Sequence, residues 1–437
     1  MPVPSLSANS FPPNGARSVE TEGFGENVDL CRVLLSGRGK TLAERTGDFA
    51  AFTASAGAHR RWMYGREIVS AARRKVDVWD EEEGRLRPML MFGSNNYLGL
   101  ATHPHVVEAA RKAAETWGVG LGGPPLLNGS TLQHRALEER LAALKGAESA
   151  ALFSSGYGTN LGLAAGLMQP GDRVLYDAES HASLCDGLKL AGLRGERFGH
   201  NDVEQLEAML ADGHAAEHDV FVCVEGVYSM RGDLAPLDRI APLCRRHGAL
   251  LVIDDAHGTG VMGPGGSGTA AHFGTGADLL MGTFSKAFSV AGGFVAAEAP
   301  VIEYLRFFSR PYVFSAALPP VVIAAVHAGL DVLEREPERV ERLHDNVRYV
   351  ARGLQALGFD IAPEAAIIAL QAPAGMDFQA AARHFHRAGL FVNATEFPAV
   401  PRDQPLFRIS LMATHRRSDL DRLLEGVKEV WDRFAPK

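Results

Sequence analysis

The chain has 437 residues, 46% of them hydrophobic and 22% charged, enough for one large α/β core and a smaller companion domain. Its formal net charge of -8 supplies no basic field, and no lysine or arginine stripe interleaves with aromatics. That excludes a polynucleotide partner and leaves small molecules. Cys31, Cys185, Cys223 and Cys244 have neither metal-ligand spacing nor the density of a disulfide scaffold, so they read as buried thiols in a reducing, cytoplasmic setting.

No apolar run is long enough to cross a bilayer, which predicts no transmembrane segment. Residues 1–30 are rich in Pro, Ser, Asn and Gly and read as a disordered tail; Glu20, Glu22 and Glu26 argue against a transit peptide. Residues 31–90 read as an N-terminal arm. A helical pattern from Asp48 to Arg74 carries Arg60, Arg61, Arg66, Arg73 and Arg74, which suits a solvated arm and a substrate-binding arm equally; Lys75 to Trp79 then turns strand-like. Ser94-Asn95-Asn96-Tyr97-Leu98-Gly99 is a polar turn after the apolar run Met89 to Phe92, where Asn95 can position a substrate.

Helices are predicted over His105–Trp117 and Thr131–Lys145, the second ended by Gly146. Between them, the run from Gly118 to Pro125 cannot continue a helix. The short strand Ala150–Phe153 then runs into Ser155-Gly156-Tyr157-Gly158 at a helix start. Free N–H groups and the positive dipole end make such a turn a phosphate cradle, although the same turn also occurs with no ligand.

Apolar runs at Arg173–Tyr176, Val220–Val224, Ala249–Ile253 and Leu279–Met281 alternate with helical segments, the pattern of a mostly parallel sheet covered on both faces. Ligands of such sheets lie beyond the carboxyl ends of the strands. The residues to weigh there are His181, Glu225, Asp254 with His257, and Lys286. Gly258-Thr-Gly260-Val-Met-Gly263 matches a dinucleotide fingerprint, but the chain continues as Pro264-Gly265-Gly266-Ser267-Gly268, which is loop chemistry, and nicotinamide binding is rejected.

After Pro319-Pro320 the pattern becomes helices over Val321–Arg335 and Pro337–Leu357, with Pro337 at the first helical position. A strand from Ile367 to Leu370, a helix from Gln379 to Ala388, strands at Leu390–Val392 and Leu406–Ser410, and a last helix from Ser418 complete an α+β unit. The predicted division is therefore 91–320 for a large cofactor-binding domain and 321–437 for a C-terminal α+β domain.

Lys286 sits among the hydroxyls of Thr283 and Ser285 and the pair Gly292-Gly293, a setting that suits a Schiff-base lysine beside a phosphate. An aspartate at a strand end, a histidine after a second strand, a glycine-rich helix start and a hydroxyl-flanked lysine are together what pyridoxal 5'-phosphate demands. The phosphate needs donors, the ring nitrogen a carboxylate, the ring face something flat, and the aldehyde a lysine.

Asn95-Asn96-Tyr97-Leu98-Gly99, Leu127-Asn128-Gly129, Ser155-Gly156-Tyr157, the segment from Asp177 to Ser183, the segment from Glu225 to Asp233, Asp254-Asp255-Ala256-His257, Thr283-Phe284-Ser285-Lys286 and Arg310 to Ser315 carry a resemblance. From about Met89 to the C-terminus the chain resembles the α-oxoamine synthases, pyridoxal-phosphate enzymes of fold type I, and most of all their serine-acylating branch. The resemblance implies a large domain with a mostly parallel seven-stranded sheet and a smaller α+β domain.

By the same resemblance, Lys286 holds the cofactor aldehyde and later acts as base at Cα, Asp254 pairs with the ring nitrogen, His257 bonds the ring hydroxyl, and His181 stacks on the ring. Gly156, Tyr157, Ser229 and Thr283 meet the phosphate, joined by Ser315 from a second subunit, and Glu225 belongs to the same cofactor site. A homodimer with shared active sites follows.

The implied reaction joins L-serine, or another small amino acid, to a fatty acyl thioester of coenzyme A or a carrier protein, with loss of carbon dioxide. Arg408 grips the amino-acid carboxylate or serves as a structural ion-pair partner. Three departures stand out: Gly123-Pro124-Pro125 replaces a Gly-Ser-Arg run, Thr395-Glu396-Phe397-Pro398 puts an acid where the serine-acylating branch has an arginine, and Asp255 replaces a glutamate.

Overall fold

The computed structural model describes residues 37–58, 63–212 and 218–436, so the predicted tail, Cys31, Arg60 and Arg61 lie outside the described residues. The arm helix runs over Leu42–Ala58 rather than Asp48–Arg74. It begins at a capping box: Thr41 N donates to Glu44 Oε2 at 2.8 Å while Glu44 N donates to Thr41 Oγ1 at 3.4 Å. Residues 63–74 are not helical, and an isolated bridge pairs Ile68 with Val78. Strands β1 (Lys75–Asp80) and β2 (Arg85–Met91) form an antiparallel hairpin.

The central sheet follows: β3 (Ser149–Phe153), β4 (Arg173–Asp177), β5 (Glu196–Phe198), β6 (Val220–Glu225), β7 (Leu250–Asp254), β8 (Leu279–Thr283) and β9 (Gly293–Ala297). Its seven strands lie in the order β3-β9-β8-β7-β6-β4-β5, with β9 antiparallel to both neighbours and the other pairs parallel. Every residue of β6, β8 and β9 is buried, which is why β6 and β8 read as continuous apolar runs rather than as alternating ones. The short β5 and the small-residue β9 escaped the sequence reading.

Helices at Gly156–Leu167, Ala182–Leu190 and Leu237–His247 cross between strands. Gly146 ends the helix Leu132–Lys145 in the left-handed region at φ 65°, as expected of a C-terminal glycine. Cys223 and Cys244 are buried and Cys185 is half-buried.

Beyond the helices Pro320–Arg335 and Glu338–Ala356 come β10 (Ile367–Gln371), β11 (Leu390–Phe391), β12 (Asn393–Thr395) and β13 (Leu406–Ser410), followed by the helix Arg417–Phe434. Pro337 stands at the N-cap, one position before its expected place. The expected strand Leu390–Val392 is shortened to β11, which joins β2 in parallel, and an unexpected β12 follows it and joins the β10-β13 sheet. The N-terminal hairpin is thereby stitched to the C-terminal part of the chain. Among the described residues, no helix is long and apolar enough to cross a membrane.

Candidate active site

The parallel strands β4, β6, β7 and β8 end at Asp177, Glu225, Asp254 and Thr283, so their polar termini gather along one edge of the sheet. Glu225 and Asp254 are register partners. The helix Gly156–Leu167 starts against the same edge, its N-cap Ser155 accepting from Gly158 N at 3.0 Å. A Cβ on Gly156 would sit 2.7 Å from Thr283 Oγ1, so only glycine lets this helix start approach the end of β8 so closely. Thr283 Oγ1 donates to Gly292 O at 2.8 Å and lies 3.0 Å from Ser285 Oγ.

Lys286 follows in the loop between β8 and β9. This loop turns through Ser289 at φ 58°, a strained value for a side-chain residue, and Ser289 Oγ donates to Asn96 Oδ1 at 2.7 Å. Burial, offset in part by Asp254, holds the Lys286 ammonium below the usual lysine range; Arg408 also lowers it.

Asp254 receives Asn160 Nδ2 at 2.6 Å and Ala256 N at 3.0 Å. His257 is buried, with Nδ1 2.7 Å from Tyr97 Oη, and burial together with the nearby charges of Lys286 and Arg408 keeps its ring neutral. His181 caps the helix Ala182–Leu190, its Nδ1 2.7 Å from Ser183 Oγ, and its ring is exposed.

Arg408 on β13 is buried. Its Nε donates to Ser229 O at 2.6 Å, and its Nη1 donates to Asn95 Oδ1 at 3.1 Å and Ser410 Oγ at 2.9 Å. No carboxylate pairs with it among the described residues, so the alternative of a structural ion pair is not realised. Ser229 N donates to Glu225 Oε2 at 3.1 Å, while Glu225 Oε1 is buried without a partner.

Asn95, His181, Ser229, His257, Lys286 and Arg408 line one cavity of about 580 Å³, with Glu396 on its wall. Ser315 does not line it, and the Tyr157 phenol points away to Asp186 at 45% exposure.

The aminotransferase class I and II family signature matches residues 87–427 of this chain. The chain belongs to that family.

Among curated relatives, 8-amino-7-oxononanoate synthase of Methylococcus capsulatus is 43% identical, over 78% of this chain and 89% of its own length. The 4-hydroxy-2,2'-bipyrrole-5-methanol synthase PigH of Serratia sp. is 40% identical over 82% of this chain, but this chain spans only about half of it, 55%. Among solved structures, serine palmitoyltransferase of Sphingomonas wittichii superposes with a TM-score of 0.84 at 33% identity, covering 90% of this chain and 98% of that one. The resemblance to the α-oxoamine synthases and the expected type I fold are borne out.

Pyridoxal phosphate, the cofactor of these enzymes, fits the residues present. The start of the helix Gly156–Leu167 beside the hydroxyls of Thr283 and Ser285, the unpartnered Glu225 Oε1 and the carboxylate of Asp254 at a strand end are features that suit the group.

Two residues joined to this edge, Asn160 and Tyr97, have no role assigned from the sequence. Asn160 Nδ2 reaches both Asp254 and, at 2.9 Å, Ser183 Oγ, which is the partner of His181. Tyr97 touches His257 and, at 3.2 Å, Asn95, and burial pushes its phenol up to about 12. The helical register of Asn160, four residues past Gly156, could have flagged the first; nothing in the sequence flags the second.

The departures also find places. Asp255 pairs with Lys145 Nζ at 2.5 Å, both side chains about 1% exposed, and accepts from Thr269 Oγ1 at 2.7 Å. Gly226, Gly258 and Gly268 close on its carboxylate so tightly that a Cβ on any of them would clash, which is why the shorter acid fits. Gly123-Pro124-Pro125 leads into a single wide turn, Pro125–Gly129, with Asn128 Nδ2 donating to Leu121 O at 2.8 Å. In the rejected fingerprint, Gly260 and Gly263 take positive φ and the next element is a short 3-10 turn, Pro264–Gly266, so no dinucleotide-binding helix begins there.

Proposed function

We propose that this protein uses pyridoxal phosphate to condense an amino acid, with L-serine favoured, with an acyl thioester. Carbon dioxide and the thiol leave, and an α-amino ketone remains. The single observation that carries the reading is that Lys286 and Arg408 face one cavity, one as a lysine held below its ordinary pKa and the other as a buried guanidinium with no carboxylate partner among the described residues.

When bound, the cofactor supplies an electron sink that stabilises negative charge at the substrate Cα. Gly156, Tyr157, Thr283, Ser229 and, from a second subunit, Ser315 would hold its phosphate. Asp254 would serve the ring nitrogen, with Asn160 fixing the Asp254 carboxylate. His181 would supply a flat face, and neutral His257 a hydrogen bond. Arg408 orients the amino acid through its carboxylate, and Lys286 Nζ removes the Cα proton. The depressed pKa of Lys286 matters here because only the neutral amine is nucleophilic or basic.

The protein works as a homodimer in the cytoplasm, with residues 91–320 as the cofactor-binding domain and 321–437 as the α+β domain. Alanine or glycine in place of serine, as in an 8-amino-7-oxononanoate synthase, and a carrier-protein donor are the alternatives within this chemistry. A plain aminotransferase is the second reading, favoured by the family signature itself.

The test incubates holoenzyme with serine, alanine and glycine, each with and without acyl thioester, and identifies products by mass spectrometry. An α-amino ketone formed only with thioester supports the proposal; a keto acid formed without thioester overturns it in favour of the aminotransferase. Borohydride reduction followed by peptide mapping should tag Lys286, and a tag elsewhere removes its assigned role.

A further inference from the structure

The cavity that holds Lys286 and Arg408 carries another guanidinium, that of Arg66. It is fixed in position: its Cζ lies 3.5 Å from the centroid of the Phe391 ring, and its Nη2 donates to Val392 O at 2.9 Å. Both contacts come from β11 and the residue after it, so the backbone that stitches the N-terminal hairpin to the C-terminal part also sets the place of this cation.

Arg66 is given no anion. Its Nε is buried and makes no hydrogen bond, and no carboxylate among the described residues pairs with it. Burial pushes it down to about 10. A half-buried guanidinium whose buried Nε has no acceptor gains when a ligand brings an acceptor and the opposite charge.

The surroundings indicate which ligand. Phe49, Met63, Tyr64 and Phe397 give the same cavity an apolar wall that suits an acyl chain rather than a small amino acid, and Glu396 also lines it. Arg408, held by Ser229 and Asn95, is a separate guanidinium with its own partners.

We propose that Arg66 is the counter-ion for an oxyanion of the acyl donor, either a carboxylate at the far end of its chain or a phosphate of its thiol carrier. The planar fork of arginine, with one face already covered by Phe391, matches both groups. This inference rests on the condensation proposed above, because it needs an acyl donor to enter this cavity.

The test compares wild-type holoenzyme with Arg66→Gln and Arg66→Lys on four donors: a plain acyl and an ω-carboxyacyl chain of equal length, each as its coenzyme A and its N-acetylcysteamine thioester. For a chain carboxylate, R66Q raises KM about ten- to a hundredfold for the two ω-carboxyacyl donors and leaves the plain donors unchanged. For a carrier phosphate, it raises KM for both coenzyme A thioesters alone. R66K, which keeps the charge but loses the fork, falls between wild type and R66Q.

An equal rise for all four donors, no rise for any, or a rise in KM for the amino acid overturns the proposal. Calorimetric binding of unreactive thioether analogues to the same variants, in the absence of amino acid, gives the same discrimination without turnover. If wild type condenses no donor, the reaction reading fails while the binding comparison still decides the role of Arg66.

Discussion

Glu225 and Asp254 end adjacent parallel strands in direct register, placing two carboxylates side by side at the edge of the sheet. They are not equivalent. Asp254 is met by Asn160 and Ala256, whereas Glu225 receives Ser229 N on Oε2 and leaves Oε1 buried and unpartnered. Burial, and then the charge of Asp254, raises the Glu225 carboxyl well above the usual carboxylate range, which favours its protonated form.

A neutral glutamic acid should be replaceable by its neutral isostere. Glu225→Gln is expected to keep stability within about 1 kcal/mol of wild type. Because the folded-state pKa of Glu225 is raised, its contribution to stability is fully present below the unfolded value and is lost as pH rises through the folded one. Urea unfolding of the apo protein as pH is raised from below the ordinary glutamate value should show this loss in wild type and not in E225Q; parallel curves would refute the assignment.

His200 ties two loops of the site together. Nδ1 lies 3.0 Å from Asp177, which ends β4 ahead of His181, and Nε2 2.8 Å from Asp233, which follows β6 and Ser229. Burial opposes protonation, but the two carboxylates outweigh it and raise the imidazole to about 10. Its stabilisation is therefore complete below the unfolded histidine value and disappears as pH rises through about 10. His200→Gln should flatten that alkaline loss in thermal melts, and an unchanged profile would count against the clamp.

The pair Lys145–Asp255 lies in the interior, and removing one member leaves the other without compensation. Lys145→Met is expected to cost about 3–5 kcal/mol. Asp255→Glu should also destabilise, by about 1–3 kcal/mol, because the glycine shell has no room for another methylene. Chemical denaturation of both variants checks the order of the two effects.

Arg408→Lys tests the amino-acid grip. Replacing the fork by a point charge should raise KM for the amino acid about tenfold or more while kcat changes little, since a carboxylate contact made equally in ground and transition states acts on binding alone. A fall in kcat at unchanged KM would place Arg408 elsewhere in the cycle.

The local code determined much of this protein. Unbroken apolar runs marked β4, β6, β7 and β8, because strands buried on both faces need no polar alternation, and the residues just past their ends were the ones that converge. Gly146 and the Ser155-Gly156 helix start were legible because each satisfies a backbone requirement carried by one or two residues. Tertiary structure alone decided which distant groups meet: Tyr97 on His257, Asn160 between Asp254 and Ser183, Arg66 stacked on Phe391, and β11 paired with β2. These contacts join positions from tens to hundreds of residues apart. Periodicity and turn chemistry report only on a few neighbouring residues, whereas the packing that selects such partners exists only once the chain has closed.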